Sequence, residues 1–451
     1  MMKLRRPNPA LSVRLNGLPA AILTLGSAGA LQLRYERDWL DRPNTYALSV
    51  ALPLREEPYH DDRAAPFFAG LLPDSRQQRR LIAETFDVNE ASDFSLLSAI
   101  GRDCAGAVSV VPLDTPIIPE EDVPEHFEPL DEAALAKLIR ELPARPLMLD
   151  DEVRLSLAGM NDKAAVLVRN KTIGLPLGGY PSSHILKPDI RDLRDSIRTE
   201  FFTLQLAARM GIKTPPAAIL TAEDQHYMLM ARYDRVRIPT GPDGAMRLRR
   251  LHQEDFCQAL GVLPDQKYER DGGPDWAACF QLLEGTEQPA NARLDLLGRA
   301  ALQYLIGNPD GHAKNYSLLH SRHGSRLAPI YDLNNARAFR DHFTKARPRL
   351  AMSIGGERDP TQLTGSHWDA FARAIGFSRQ PVRRLLVDMA ERLPDEAVTL
   401  RDSLRDSPAW SDRHDLVVDD IAARCADVPA MLARTEPSPP EPLPAVGPSF
   451  D

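Results

Sequence analysis

The chain has 451 residues, of which 43% are apolar and 26% charged, and it carries a formal net charge of −8. This composition is typical of a globular protein with enough length for two or three domains, and its acidic balance argues against a general nucleic-acid binder. The four cysteines show no metal-ligand spacing, and no run of about 18 apolar residues occurs, so we expect neither a zinc module nor a membrane span.

The first part of the chain is predicted to be rich in β-structure. The opening stretch, MMKLRRPNPALSVRLNG, lacks the apolar core of a signal peptide, so we expect a cytoplasmic protein with reduced thiols. Residues 11–55 alternate between apolar and polar side chains, and Asn16-Gly17 separates two such runs, which is a hairpin signal. A helical stretch follows at 74–86.

Residues 112–130 have the composition of a linker. They contain five prolines and six acidic residues. Such a segment buries little surface, and we interpret it as an extended connection between two domains.

The middle of the chain mixes helix and strand. A helix is predicted at 131–142, followed by a strand, a loop with one glycine and a second strand. A short apolar strand then ends at Lys187, and a helix is predicted at 196–211.

After residue 250 the pattern is mostly helical. Helices are predicted at 252–261, at 292–307 and repeatedly between 366 and 433. The last stretch has six prolines between Pro437 and Pro448 and is predicted to be disordered. A β-rich half followed by a helical half predicts two lobes with a cleft between them.

The run LIGNPDGHAKNYSLLH lies at the predicted junction and carries a spacing that a specific chemistry needs. Asp310 and Asn315 are spaced Asp-x-x-x-x-Asn, and Asp332 follows them beyond a predicted hairpin. Protein kinases use this order for the carboxylate that orients the attacking hydroxyl and for two oxygen ligands of Mg²⁺.

A lysine and a glutamate upstream extend the pattern. Lys187 ends a strand, as a phosphate-binding kinase lysine does, and Glu200 lies in the next predicted helix, where it is expected to pair with Lys187. Each feature alone is common, because an isolated Asp-x-x-x-x-Asn is usually a turn and a helix glutamate is usually exposed. Their order along the chain favours a kinase-like phosphotransferase.

The glycine-rich loop of eukaryotic protein kinases is missing. The loop ahead of Lys187, SLAGMNDKAA, holds only Gly159. We expect the backbone amides of residues 158–163, together with Lys163, to bind phosphates instead.

Several motifs together resemble those of a known family. In chain order they are PFFAGLLPDS, IGRDCAGAVSVVP, RLSLAGMNDKAAV, HILKPD, HQEDFCQALGVLPDQKYERDGGPD, NPDGHAKNYS and PIYDL. The family is that of the HipA serine/threonine kinases, the toxins of bacterial HipBA modules, and the resemblance runs from about residue 10 to 430.

The resemblance implies an α+β, two-lobed protein-kinase-like fold. We expect a β-rich N-terminal subdomain and a mostly helical C-terminal lobe. The expected divisions are the N-terminal subdomain at 1–111, the linker at 112–130, the N-lobe of the kinase core at 131–250, the helical C-lobe at 251–435 and the disordered tail at 436–451.

The resemblance also implies roles for individual residues. Asp310 would be the catalytic acid/base residue, Asn315 and Asp332 would hold Mg²⁺, and Lys187, partnered by Glu200, would bind ATP phosphates. The other residues expected to contact ATP are Ala158, Gly159, Met160, Asn161, Asp162, Lys163, Ala231, Arg232, Tyr233, His312, Ala313, Lys314, Tyr331, Leu333 and Asn334.

The resemblance implies particular roles for one short stretch and for one serine. Residues 231–233 resemble the hinge that meets adenine through its backbone, with Ala231 where the family usually has glutamate. Ser156 lies where family members phosphorylate themselves, which expels the phosphate loop and switches the kinase off.

The family further implies cofactors and partners. The cofactors would be ATP and Mg²⁺, and the substrate a serine of an aminoacyl-tRNA synthetase, whose modification halts charging and growth. A HipB-like helix-turn-helix antitoxin would bind operator DNA and carry the toxin, which fits an acidic chain that reaches DNA mainly through a partner. No membrane contact is expected.

Three other functions stay open at this point. The chain could be a catalytically silent corepressor subunit, or a small-molecule phosphotransferase, since antibiotic and sugar kinases use the same Asp and Asn spacing. A metal hydrolase built on Asp310 and His312 lacks a third ligand at suitable spacing.

Overall fold

The N-terminal subdomain is an antiparallel sheet accompanied by four helices. The computed structural model describes residues 9–26, 29–142, 162–239, 246–341 and 348–435. The strands, in the spatial order β3-β2-β1-β4, are β1 (Ala10–Leu15), β2 (Leu18–Leu25), β3 (Leu31–Tyr35) and β4 (Val108–Pro112). The helices are α1 (Arg37–Asp41), α2 (Asp61–Gly70), α3 (Arg76–Phe86) and α4 (Asp93–Ile100). The predicted hairpin turn is present, because Asn16 and Gly17 both adopt the positive φ that such a two-residue turn requires.

The N-lobe of the core is a six-stranded antiparallel sheet with a helix on each face. Its strands, in the spatial order β5-β7-β6-β8-β10-β9, are β5 (His126–Pro129), β6 (Ala164–Arg169), β7 (Thr172–Leu177), β8 (His184–Pro188), β9 (Ala217–Ala222) and β10 (Gln225–Ala231). The helices are α5 (Glu132–Glu141) and α6 (Ser196–Arg209). Tyr227 of β10 packs with α5, and its neighbour Met228 packs in the cluster that includes α6, because successive strand residues face opposite sides.

The segment interpreted as a linker is partly built into this sheet. Residues 126–129 form β5, which pairs with β7, and Glu120 is buried. The interpretation of 112–130 as an extended connection is therefore corrected for these residues. Proline is tolerated here because β5 is an edge strand.

The C-terminal lobe is mostly helical. A hairpin of β11 (Arg235–Pro239) and β12 (Met246–Arg250) precedes it, and Leu248 of this hairpin packs with Leu167 of β6. The lobe has the strands β13 (His252–Asp255), β14 (Ser317–Ser321) and β15 (Gly324–Leu327), which form a three-stranded sheet. Its helices are α7 (Phe256–Leu260), α8 (Trp276–Leu282), α9 (Pro289–Leu305), α10 (Gly365–Ala374), α11 (Arg379–Leu404) and α12 (Arg413–Ala433).

The helix predicted over 252–261 is only half correct. Residues 252–255 form β13, and α7 begins after Asp255. The carboxylate of Asp255 accepts a hydrogen bond from the amide of Gln258, and the Gln258 side chain bonds back to the Asp255 amide, which starts the helix at that point.

The two-lobed α+β architecture expected from the sequence is confirmed. The largest hydrophobic cluster runs from α6 and β10 through α7, α8 and α9 to α11 and α12, so it joins the N-lobe to the C-lobe. Within the part of the chain that the structure describes, no helix is both long and apolar enough to cross a membrane.

Candidate active site

The Asp-x-x-x-x-Asn loop begins where α9 ends. Gly307 has a positive φ and turns the chain out of the helix, and the Asn308 side chain accepts a hydrogen bond from the Asp310 amide at 3.1 Å. At the other end, Asn315 Nδ2 donates to the Asp310 carbonyl oxygen at 2.7 Å. This bond ties the two ends of the motif together, so Asp310 and Asn315 form one rigid unit.

The Asp310 side chain is the open member of this unit. Its side chain is 49% exposed, whereas Asn315 is buried. One carboxylate oxygen, Oδ1, accepts a hydrogen bond from the Tyr268 hydroxyl at 2.6 Å. The His312 Nε2 atom lies 3.7 Å from the same oxygen, which is beyond hydrogen-bonding distance. An exposed carboxylate of this kind can accept a proton from a hydroxyl group outside the chain.

A buried ion pair links the two lobes behind this loop. Lys187 in β8 lies opposite Met228 in β10, on the sheet face that α6 covers. Its Nζ atom donates to Glu200 Oε1 of α6 at 2.8 Å and to Asp332 Oδ1 of the C-lobe at 2.5 Å. A single ammonium group therefore holds a carboxylate from each lobe.

The electrostatics of this triad follow from burial and from its own charges. Burial raises the pKa of Glu200 to about 7, although Lys187 opposes the shift. Burial alone would lower the pKa of Lys187, but Asp332 and Glu200 outweigh it and raise that pKa. Burial would raise the pKa of Asp332, yet the ammonium groups of Lys187 and Lys163 keep it low, so Asp332 stays ionised.

Asp332 sits in an unusual backbone conformation. Its φ is 52°, the left-handed region that few non-glycine residues adopt. The hydroxyl of Thr203 in α6 donates to the next carbonyl oxygen, that of Leu333, at 2.6 Å. This bond holds the Asp332 turn against α6, and strain at one carboxylate fits a residue placed for ligand binding.

The stretch at 231–233 connects β10 to the C-lobe. The amides of Ala231 and Arg232 donate to carbonyl oxygens of Pro216 and Ser183, so a bound base would have to use other backbone groups of this stretch. The Tyr233 ring stacks on Tyr331 at a centroid distance of 5.7 Å.

The side chains of several residues expected at the nucleotide site are buried or turn away from it. The guanidinium of Arg232 turns towards the N-terminal subdomain, where it contacts the Cys104 carbonyl oxygen. Ala313 and Leu333 are fully buried, which leaves their backbone for a ligand. Asn334 is half-buried.

The phosphate-loop residues Ser156, Ala158, Gly159, Met160 and Asn161 lie outside the described part of the chain. The described end of the loop reaches both the N-terminal subdomain and the active site. Asp162 accepts a hydrogen bond from Gln78 of α3 at 3.1 Å. Burial lowers the pKa of Lys163 to about 8, and Asp332 opposes the shift.

The N-terminal subdomain also contributes a carboxylate that the sequence did not single out. Asp74 forms ion pairs with Lys314 of the Asp310 loop and with Lys267, the latter at 3.1 Å. Its side chain is only 9% exposed. Asp74 and Tyr268 both stand in motifs that carry the family resemblance, but no chemical role was predicted for either.

The donor set suits a hard cation. Asn315 and Asp332 offer amide and carboxylate oxygens, and Mg²⁺ is usually held by one or two such groups together with substrate phosphates. Among the described residues, no group of three or more histidine, cysteine or acidic side chains could hold a metal by itself. Asn315 and Asp332 therefore suit a cation that takes its other ligands from substrate phosphates and water.

Comparisons with known proteins match most of this chain. Family models of the HipA N-terminal domain and the HipA-like C-terminal domain match residues 11–111 and 155–397. A putative kinase of Sinorhizobium fredii, Y4mE, is 35% identical over 417 residues, which cover 92% of this chain and 97% of that protein.

Two comparisons involve Shewanella oneidensis. Its serine/threonine-protein kinase toxin HipA is 29% identical over 380 residues, covering 82% of this chain and 83% of that protein. The structure of its toxin–antitoxin complex of HipA, HipB and operator DNA superposes with a TM-score of 0.80 at 27% identity, covering 94% of this chain and 98% of that chain. The chain therefore belongs to the HipA family of serine/threonine kinases.

Proposed function

We propose that this kinase is a toxin that transfers the γ-phosphate of ATP to a serine of an aminoacyl-tRNA synthetase and so stops translation and growth. The observation that carries the proposal is the ion pair of Lys187 with Glu200 and Asp332, next to an Asp310–Asn315 unit whose carboxylate is open. A catalytically silent protein would gain nothing from holding two carboxylates on one buried lysine, because burying the charges of Lys187 and Glu200 is costly.

In this proposal Asp310 is the acid/base residue. The oxygen of the acceptor serine attacks the γ-phosphorus, its proton passes to the Asp310 carboxylate, and ADP leaves. Asn315 and Asp332 would hold Mg²⁺, which neutralises phosphate charge when bound. Lys187 would leave Asp332 for the ATP phosphates while it keeps Glu200.

The remaining nucleotide contacts are proposed from the same arrangement. The stretch at 231–233 would meet adenine through its backbone, and the loop at 158–163 with Lys163 would cover the phosphates. The other proposed contacts are His312, Ala313, Lys314, Tyr331, Leu333 and Asn334. Burial and the nearby Lys187 ammonium lower the pKa of Lys163, and Asp332 opposes that shift. An anion would relieve this crowding of ammonium groups.

Partners follow from the relatives. We propose a HipB-like antitoxin that binds operator DNA and carries this chain, because the Shewanella structure holds HipA, HipB and DNA together and matches 94% of this chain. The net charge of −8 supports DNA contact mainly through that partner. The proposed location is the cytoplasm.

We also propose that phosphorylation of Ser156 switches the kinase off. The loop that carries Ser156 ends at Asp162, which the N-terminal subdomain holds through Gln78. A phosphate adds negative charge and strong acceptor oxygens, which would compete with ATP phosphates for the same lysines.

The test is transfer from γ-labelled ATP with Mg²⁺ to the purified full chain and to a lysate of its host. We expect label on Ser156, identified by mass spectrometry, and one additional labelled band that persists only with the Ser156→Ala variant. A Ser321→Ala variant, changed at the end of β14, serves as the control and should label as the wild type does. No transfer in any lane, despite bound nucleotide, would contradict the proposal and favour a silent corepressor.

A further inference from the structure

Tyr268 lies directly against the proposed catalytic carboxylate. Its hydroxyl donates to Asp310 Oδ1 at 2.6 Å. The His312 ring meets the Tyr268 ring edge-on at 4.9 Å, and the Arg270 guanidinium lies over it, also at 4.9 Å. Burial and the neighbouring Asp310 raise the pKa of Tyr268, so the phenol keeps its proton and acts as the donor.

The residues on either side of Tyr268 are anchored to different parts of the molecule. Lys267 pairs with Asp74 of the N-terminal subdomain at 3.1 Å. Glu269 accepts hydrogen bonds from the amide and the hydroxyl of Ser353 at 2.5 and 2.6 Å. The tyrosine is therefore held from both sides and cannot swing away without breaking charged contacts.

The turn that follows closes back onto Tyr268. The Gly273 amide donates to the Tyr268 carbonyl oxygen at 3.0 Å. A Cβ atom at Gly273 would clash with the Gln266 carbonyl oxygen, and Gly272 has a φ of 87°. Glycine is required at both positions, so residues 266–273 form a rigid platform beside the site.

One carboxylate oxygen of Asp310 accepts no hydrogen bond from the described residues. Its amide bonds to Asn308, its carbonyl oxygen accepts from Asn315, and Oδ1 accepts from Tyr268. Oδ2 accepts no hydrogen bond from the residues that the structure describes, and the side chain is 49% exposed. Because a carboxylate held at Oδ1 has a fixed plane, the direction of Oδ2 is fixed as well.

We propose that Tyr268 is a positioning residue that orients Asp310 so that Oδ2 receives the acceptor hydroxyl. This inference rests on the proposed function of Asp310. Without the phenol, the Asp310 carboxylate would rotate about its side-chain bonds, and the productive orientation would become one of several.

The test compares Tyr268→Phe with the wild type in self-labelling of the full chain from γ-labelled ATP and Mg²⁺. Phenylalanine keeps the ring contacts and removes only the hydroxyl. We expect the maximal labelling rate to fall about 10- to 100-fold, while the ATP concentration at half-maximal rate changes less than about twofold. The thermal unfolding midpoint, measured in parallel, should stay unchanged.

The matched control is Tyr180→Phe. The Tyr180 hydroxyl also donates to a carboxylate, that of Glu125 at 3.3 Å, but it lies at the sheet of the N-lobe. This variant should label at the wild-type rate.

The outcomes separate the inference from the proposed function. A wild type that transfers no phosphate overturns both. Equal rates for the wild type and Tyr268→Phe overturn the positioning role alone. A faster Tyr268→Phe variant also overturns it, because the phenol would then be occupying the place of the acceptor hydroxyl.

Discussion

At the scale of single residues, Lys187 joins the two lobes at the proposed site. Its side chain is only 7% exposed, and its ammonium group neutralises carboxylates from α6 and from the Asp332 turn. A buried carboxylate such as Glu200 is stable only when paired, and the same lysine also holds the partly exposed Asp332. Burial raises the pKa of Glu200 above its usual range, and the Lys187 ammonium opposes that shift.

We predict that Glu200→Gln lowers phosphate transfer about tenfold or more and lowers the free energy of unfolding by about 1–3 kcal/mol at pH 8. Glutamine keeps the shape but removes the charge, so Lys187 is drawn to Asp332 alone. Transfer kinetics and urea unfolding measure the two effects. The control is Glu396→Gln, whose pair with Arg209 is about one-third exposed and should contribute less than about 0.5 kcal/mol. Equal losses in both variants would disprove the special role of Glu200.

The sequence predicted roles for residues at kinase-like spacing, but it did not predict contacts that arise only from the tertiary structure. Lys187, Asp310, Asn315 and Asp332 stand at kinase-like positions along the chain. The structure joins Lys187 to Asp332 and Asn315 to Asp310. Tyr268 stands in a motif that carries the family resemblance, but no role was predicted for it from the sequence. Only the fold shows that its hydroxyl contacts Asp310.

At the scale of elements, the small sheet of β13 and β14 connects the C-lobe to the N-terminal subdomain. His252 on β13 lies opposite His320 on β14, and its Nε2 atom donates to the Leu48 carbonyl oxygen at 2.8 Å. Burial, followed by the nearby His320, lowers the pKa of His252 to about 3. The fold therefore requires a neutral imidazole at this junction.

We predict that this histidine makes the protein less stable in mild acid. The unfolded chain binds a proton at His252 below about pH 6.5, whereas the folded chain does so only near pH 3, so stability is lost as pH falls from 6.5 towards 3. Between pH 7.5 and 5.0, His252→Gln should lose about 2 kcal/mol less than the wild type in urea unfolding. Exposed His323→Gln should lose as much as the wild type, and an unchanged pH slope for His252→Gln would contradict the assignment.

Helices could be predicted from the sequence where the apolar periodicity extends over many residues. The helices over 76–86, 196–209 and 289–305 follow apolar spacing that the sequence displays. The strand at 252–255 was missed, because it is too short for a clear period and its partner strand, at 317–321, lies far along the chain. The strand at 126–129 was missed because proline suggested a linker.

At the scale of the whole molecule, a buried cluster of charges fastens the N-terminal subdomain to the stretch that follows the hinge. Asp103 of that subdomain accepts hydrogen bonds from Arg235 at 3.1 Å and Arg250 at 2.9 Å, and Arg232 lies 3.9 Å away. Burial alone would raise the pKa of Asp103, but the three guanidinium groups hold it well below its usual range. These buried contacts make the N-terminal subdomain an integral part of the kinase fold.

We predict that Asp103→Asn lowers the free energy of unfolding by about 3–5 kcal/mol, because buried arginines lose a charged partner. Chemical denaturation measures this loss. Asp41→Asn, which breaks an exposed pair with Arg37, should leave the midpoint unchanged. A small effect of Asp103→Asn, equal to that control, would show that the cluster does not fasten the two parts.

In the proposed function, Asp310 serves phosphate transfer and is not needed to hold ATP. The measurement that tests it most directly is single-turnover transfer from γ-labelled ATP with Mg²⁺ for the wild type and Asp310→Asn, with ATP affinity measured by calorimetry on the same samples. We expect ATP affinity within about threefold and a transfer rate lowered at least about 100-fold. An Asp310→Asn variant that binds ATP and transfers phosphate at the wild-type rate would show that Asp310 is not the acid/base residue.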